Sequence, residues 1–198
     1  MVYEGTLLPK EEWEVNKETF INLANQYIKR KGIRDLLNYL DRSDFYTAPC
    51  STKYHLNTIG GLCKHSINVC NSLFQLVALL DMNTISDEEI AIVSLFHDVC
   101  KIGCYKETLK WTKDATGSWV QEKQFVYDED YPFGHSEKSA IIVQHYLDVT
   151  SYELQAINGH MGFSDARGLQ LVGNIFKHNK LAVALHLADM IATYFKES

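Results

Sequence analysis

Apolar residues recur at helical spacing along most of this chain. Between 17 and 29 they fall at Phe20, Leu23, Ala24, Tyr27 and Ile28, one face of a helix. Gly32 interrupts the pattern, and 33–40 carries a second, shorter helix. Small polar and turn-forming residues dominate 41–57, which also contains Pro49, so this stretch is expected as a loop. Gly60-Gly61 then precedes a long apolar series, Leu62, Ile67, Val69, Leu73, Leu76, Val77 and Leu80. Ser86-Asp87-Glu88-Glu89 has the form of a capping box, with Ser86 as N-cap and Glu89 reaching back. The helix it opens runs through Ile90, Val93 and Leu95 to His97-Asp98. Helical periodicity returns at 135–147, 151–160 and 181–195. The exception is 109–127, where Trp111-Thr112, a turn at 114–117, then Trp119, Val120, Phe125 and Val126 predict two strands. The expected fold is an all-α domain with a small β-hairpin inserted near residues 109–127.

Size and composition narrow the class. With 198 residues and 46% hydrophobic content, the chain can bury its own core, and a single domain spanning 1–198 is the default. Three prolines, no linker-like run and no internal repeat argue against a second domain. Residues 1–50 are expected to pack on that core as a helical extension, with a cleft cap or a homodimer contact as open roles. Five cysteines, an odd number, with several inside apolar helical patterns, fit reduced and buried thiols. Residues 1–10 lack the basic start and apolar run of a secretory leader. The longest apolar stretches are too short to cross a bilayer, so the expected location is the cytoplasm. A net charge of −6 gives little of the phosphate neutralisation that duplex DNA binding needs. A small molecule or a short single strand is the better-matched partner.

Chemistry concentrates on scattered histidines and aspartates. His97-Asp98 ends an apolar helix, placing an imidazole and a carboxylate together, a nitrogen and oxygen pairing that suits a divalent transition metal. His65, His135, His160 and Asp189 stand on other helices or helix ends. Glycines flank two of them, in Gly134-His135 and in Gly159-His160-Met161-Gly162, leaving room beside the imidazole. Asp189 lies in an almost wholly apolar run, where an unpaired carboxylate is costly and must be ion-paired, protonated or bound to a cation. Trp111, Trp119 and Tyr131, on or near the hairpin, are candidates for stacking on a base, with packing on the helices beneath as the alternative.

Taken in order, Gly60-Gly61-Leu62 before His65, then His97-Asp98, Lys101 and Asp189, this pattern resembles the HD-domain metal-dependent phosphohydrolases across roughly 55–189. The added histidines at 135 and 160 look most like the two-metal branch, which includes phosphodiesterases, some dinucleotide hydrolases and the HD modules of 3′–5′ exoribonucleases. The resemblance implies an HD-domain helical bundle. In it His65, His97, Asp98 and Asp189 hold one metal, and Asp98 bridges to a second held partly by His135 and His160. It also implies Asp98 and Lys101 as catalytic residues, with Lys101 and His55 on the substrate side. The implied cofactor is one or two divalent ions, with Mn, Fe, Co, Ni, Zn and Mg not distinguished. The implied reaction is hydrolysis, by metal-activated water, of a phosphoester or phosphoanhydride in a nucleotide or short oligonucleotide. Two alternatives stay open: a single-metal nucleotidase or deoxynucleotide triphosphohydrolase, and a module that senses a nucleotide without cleaving it. No motif fixes the substrate further.

Overall fold

A computed structural model describes residues 10–164 and 168–197; the 1–9 part of the leader expectation lies outside the described residues. Eight α-helices are present among the described residues: α1 Lys10–Tyr27, α2 Ile33–Arg42, α3 Gly61–Leu79, α4 Asp87–Phe96, α5 His135–Tyr146, α6 Ser151–Gly159, α7 Leu169–His178 and α8 Lys180–Ile191. A 3₁₀ turn, Val99–Lys101, follows α4, and a π-type turn, Ala192–Lys196, extends α8. Strands β1 Tyr105–Lys113 and β2 Trp119–Tyr127 form one antiparallel pair. Among the described residues the protein is mostly helical with a single hairpin, as the periodicity predicts. β1 starts four residues earlier than the pattern suggested.

Helix α3 is the hub. It packs against α1, α4 and α8, while α6 fills the space between α5, α4 and α8. The residues expected on one face of α1, Phe20, Ala24 and Ile28, are buried, as are Leu62, Val69 and Leu73 on α3. Phe20 meets Phe45, Tyr46 and Phe96 with ring centroids 5.0, 5.7 and 5.8 Å apart. These edge-on aromatic contacts fasten the 43–58 loop to α1 and α4. Gly60 has φ +80° and Gly61 approaches the same loop so closely that a Cβ would collide with the Leu56 carbonyl. Glycine is required at that start because the loop folds back over it. Leu62 N–H donates to Ala48 O at 3.0 Å and Cys50 N–H to Leu56 O at 3.1 Å, so the loop lies against the N-terminus of α3.

Local signals account for the helix starts. Ser86 and Glu89 form the expected capping box, and Thr150 with Glu153 forms a second. Arg30, just past the end of α1, clamps two helices. It binds the fully buried Glu153 carboxylate at 2.6 Å and Glu88 at 3.3 Å. Burial opposes Arg30's charge, but the two carboxylates outweigh it and hold its pKa above the usual value. From residue 10 on, α1 packs against α3 and α4, and α2 packs against α5.

The hairpin is closed by a turn in which Asp114 Oδ1 accepts from Thr116 N–H at 2.8 Å and Ser118 N–H at 3.0 Å, and Gly117 takes φ +85°. At its base, Asp128 N–H donates to Cys104 O at 2.9 Å. Beyond that base the strands pack chiefly on each other. No described helix is long and apolar enough to cross a membrane.

Candidate metal centre

Five elements deliver the site. His65 projects from the second turn of α3. His97 caps the C-terminus of α4 and Asp98 follows in the bridge conformation, φ −112°, ψ 17°. His135 is the first residue of α5, His160 caps the C-terminus of α6, and Asp189 stands in the last turn of α8. All six predicted ligands converge. His65, His97, Asp98 and His160 are buried, Asp189 is about a fifth exposed (21%) and His135 is 35% exposed.

Asp98 is the centre, and its two oxygens face different groups. Oδ2 lies 3.7 Å from His65 Nε2, 3.6 Å from His97 Nε2 and 2.7 Å from Lys101 Nζ. Oδ1 lies 2.7 Å from His135 Nε2 and 3.3 Å from His160 Nε2. Asp189 Oδ1 is 3.2 Å from His65 Nε2, and His65 and His97 Nε2 are 3.3 Å apart. Ligand atoms from His65–His97–Asp98, from His97–His160–Asp189 and from Asp98–His135–His160 each fall within 4.8 Å of one another.

The far side of each imidazole sets its proton. His97 Nδ1 is 2.8 Å from Ser94 O and His160 Nδ1 is 2.7 Å from Ile157 O. A carbonyl oxygen only accepts, so both Nδ1 atoms carry hydrogen and donate. His65 Nδ1 donates in the same way to Glu197, 3.0 Å from Oε2, and Asn68 Nδ2 steadies that carboxylate at 2.9 Å. His186 Nδ1 in turn donates to His160 O at 2.7 Å. Three Nε2 atoms are thereby turned toward Asp98, and a donor N–H anchored behind each ring is the usual support of a metal-bound histidine. His160 Nε2 is buried without any hydrogen bond, since its 3.3 Å approach to Asp98 lacks the required geometry. An orphaned buried nitrogen beside a carboxylate fits a cation ligand. The donor set therefore fits a divalent ion.

Electrostatics agree with that fit. Burial would raise the Asp98 pKa, yet Lys101, His97 and His135 hold it well below the usual carboxylate range. Asp189 is likewise depressed, against burial, by His65. Burial lowers His97 to about 4, so this ring stays neutral and its Nε2 keeps a lone pair at pH 7. Burial also works against charge on His65, but Cys50, Asp189 and Glu197 override it and push its pKa well up. A proton and a metal ion thus contend for His65 Nε2.

Four of the candidate ligands, His65, Asp98, His135 and Asp189, line a cavity of about 410 Å³, within the range of small-ligand clefts; His97 and His160 lie behind them, off its wall. Lys101 and His55, expected on the substrate side, both line it, together with Ser51, Thr52, Tyr105 and Tyr127. Cys50 was not foreseen as a site residue. Its Sγ lies 3.2 Å from His55 Nε2 and 3.4 Å from Lys101 Nζ. Burial would raise this thiol, but His65 and Lys101 bring it down to about 6. Glu197 was equally unforeseen; it lies far along the chain, and no local pattern ties it to His65.

Two expectations need correction. The glycines beside the histidines do not open space next to the imidazoles. A Cβ on Gly162 would run into the His186 ring, one on Gly159 would press on Ile175, and one on Gly134 would strike Glu137. Their smallness lets other side chains pack. Trp111, Trp119 and Tyr131 neither pack on the helices nor enter the cavity: they are 59%, 63% and 78% exposed. The cavity aromatics are Tyr105 and Tyr127, at the root of the hairpin. No family model, curated protein or solved structure matches the chain, so the chemistry of the site rests on its own geometry.

Proposed function

We propose that the protein is a metal-dependent phosphohydrolase of HD-domain type, cleaving a phosphoester or phosphoanhydride bond in a nucleotide or short oligonucleotide. The observation that carries this is the convergence of three Nδ1-anchored histidines on Asp98, which itself opens, with His65, onto a nucleotide-sized cleft. A divalent ion held there supplies Lewis acidity and lowers the pKa of a coordinated water, which is how such centres attack phosphorus. His65, His97, Asp98 and Asp189 would hold it, with Asp98 offering its other oxygen toward His135 and His160. Lys101 neutralises Asp98 at 2.7 Å and faces the cavity, so the ammonium can turn from that carboxylate to a substrate phosphate. His55, with Ser51 and Thr52, offers further hydrogen-bonding groups on the cavity wall, joined to Lys101 through Cys50.

One distance favours a single-ion version of the same reaction. His135 Nε2 and Asp98 Oδ1 are 2.7 Å apart, a hydrogen-bond spacing. Two ligands on one zinc-sized ion at about 2.0–2.1 Å stand roughly 3.3 Å apart in tetrahedral geometry. In that version His135 shares a proton with Asp98 and passes it to the leaving group.

The test is a panel of nucleotides and bis(p-nitrophenyl) phosphate with added manganese, run on wild type and Asp98→Ala. Hydrolysis by the wild type, abolished in a folded Asp98→Ala protein, is the expected outcome. Full activity in the variant would overturn the mechanism. Silence across the panel together with tight binding of one nucleotide would make the domain a sensor.

A further inference from the structure

The hairpin inverts the usual rule for a two-stranded ribbon on a helical body. Residues opposite one another in the register, and every second pair along it, share a face. One face thus carries Tyr105/Tyr127, Glu107/Phe125, Leu109/Lys123, Trp111/Gln121 and Lys113/Trp119. Every aromatic residue of the two strands is on it. The opposite face, with Thr108, Thr112, Val120, Gln124 and Val126, is the half-buried one. Leu109, Trp111, Trp119 and Tyr127 are all about 60% exposed on the open face. Large apolar groups gathered on one open face, with Leu109 between the root tyrosines and the two tryptophans, mark a binding surface.

This surface is continuous with the metal-type cavity, because its first pair, Tyr105 and Tyr127, lines that cavity. From there it runs outward over eight residue steps, roughly 26 Å, with successive pairs on the face about 6.6 Å apart. That spacing is of the order of the base-to-base distance in an extended single strand. Lysines alternate with the rings: Lys113 Nζ lies 5.2 Å from the centroid of Trp119, and Lys123 is held across the strands by Glu107 at 2.7 Å. On the platform face itself Lys113 and Lys123 stand against Glu107, Lys106 and Lys110 belong to the other face, and Asp128, Glu129 and Asp130 follow at the hairpin's base.

We propose that this face is a stacking platform for single-stranded nucleic acid that feeds its end into the cavity, making a single-stranded oligonucleotide the substrate class. The inference rests on the phosphohydrolase reading and extends it. Stacking tolerates any base, and the weak local charge leaves affinity to the rings, so binding is sequence-tolerant and grows with strand length until the platform is covered. A second copy of the chain would bury the rings equally well, but it would not account for their continuity with Tyr105 and Tyr127 at the cavity.

The experiment is fluorescence anisotropy of labelled oligo(dT) and oligo(U), from the dinucleotide to the octamer, with the full chain in chelator to prevent cleavage. Affinity should climb with length. Trp111→Ala and Trp119→Ala should each weaken octamer binding by about tenfold, with Trp→Phe restoring most of it. Both side chains are exposed, so folding is not at stake. Equal affinity for dinucleotide and octamer, or tryptophan variants that bind like wild type, would overturn the proposal. So would wild type that binds no oligonucleotide but self-associates in sedimentation through the same tryptophans. Hydrolysis of bis(p-nitrophenyl) phosphate by the wild type reads the metal centre alone. Inactivity there sinks the phosphohydrolase reading, while activity without any length preference sinks only the platform.

Discussion

His97 shows how a single buried side chain sets the site's response to pH. Its ring is neutral in the fold, with a pKa of about 4 against an ordinary value near 6.5. Between those values the unfolded chain binds a proton that the folded chain refuses, so stability falls as pH drops from about 6.5 to about 4. His65 and His160, both shifted upward, oppose this loss only near the top of the window, where the unfolded rings are still partly neutral. Thermal melts in chelator should show this acid-side loss in wild type and a flatter profile in His97→Gln. Glu197 acts one bond farther out, through His65 Nδ1. Glu197→Gln should weaken metal affinity by roughly 10–100-fold, measured by chelator competition, and should also lower the melting temperature in chelator at neutral pH, because the buried His65 loses a carboxylate that holds its charge. At this scale Asp189 and the His97-Asp98 pair stood out because ionisable groups in apolar runs are costly unless used, whereas His65, His135 and His160 stood out only through their order along the chain. Cys50 and Glu197 did not, since a thiol in a polar loop and a glutamate near the chain's end look ordinary until the fold brings them to His55 and His65.

Elements were read most reliably where a start signal and an apolar face coincide. Ser86-Asp87-Glu88-Glu89 gave α4 its start to the residue, and the structure shows both reciprocal hydrogen bonds of the box. Ser86→Ala should cost about 1 kcal/mol in denaturant unfolding and leave metal affinity unchanged, because the cap lies at the opposite end of α4 from His97. Thr150 with Glu153 is the same device and was overlooked, its glutamate being masked by its second role as Arg30's buried partner. Helix α7 escaped notice because Gly173 and few strong start signals blur its pattern. The hairpin was legible as two strands, but its first four residues were not: Tyr105 to Thr108 alternate weakly, and their pairing with 124–127 is set by the register from the turn. The side on which its aromatics fall is a consequence of that register.

At the scale of the molecule, the helices exist to bring distant residues to one point. His65 and Asp189 are separated by most of the chain, yet α3 packs along α8 and sets their side chains 3.2 Å apart. The helical class and the single hairpin follow from periodicity alone, whereas this convergence needed coordinates, because sequence spacing says nothing about which helix ends meet. The cluster around Asp98 is proposed to hold divalent metal, and equilibrium dialysis against manganese or zinc, with metal counted per chain by mass spectrometry, measures that occupancy. One tightly held ion per chain, or two if His135 joins the second set, with the count collapsing in Asp98→Ala, is the predicted result. A wild-type protein that retains no ion, or an Asp98→Ala protein that retains as many as the wild type, would contradict it.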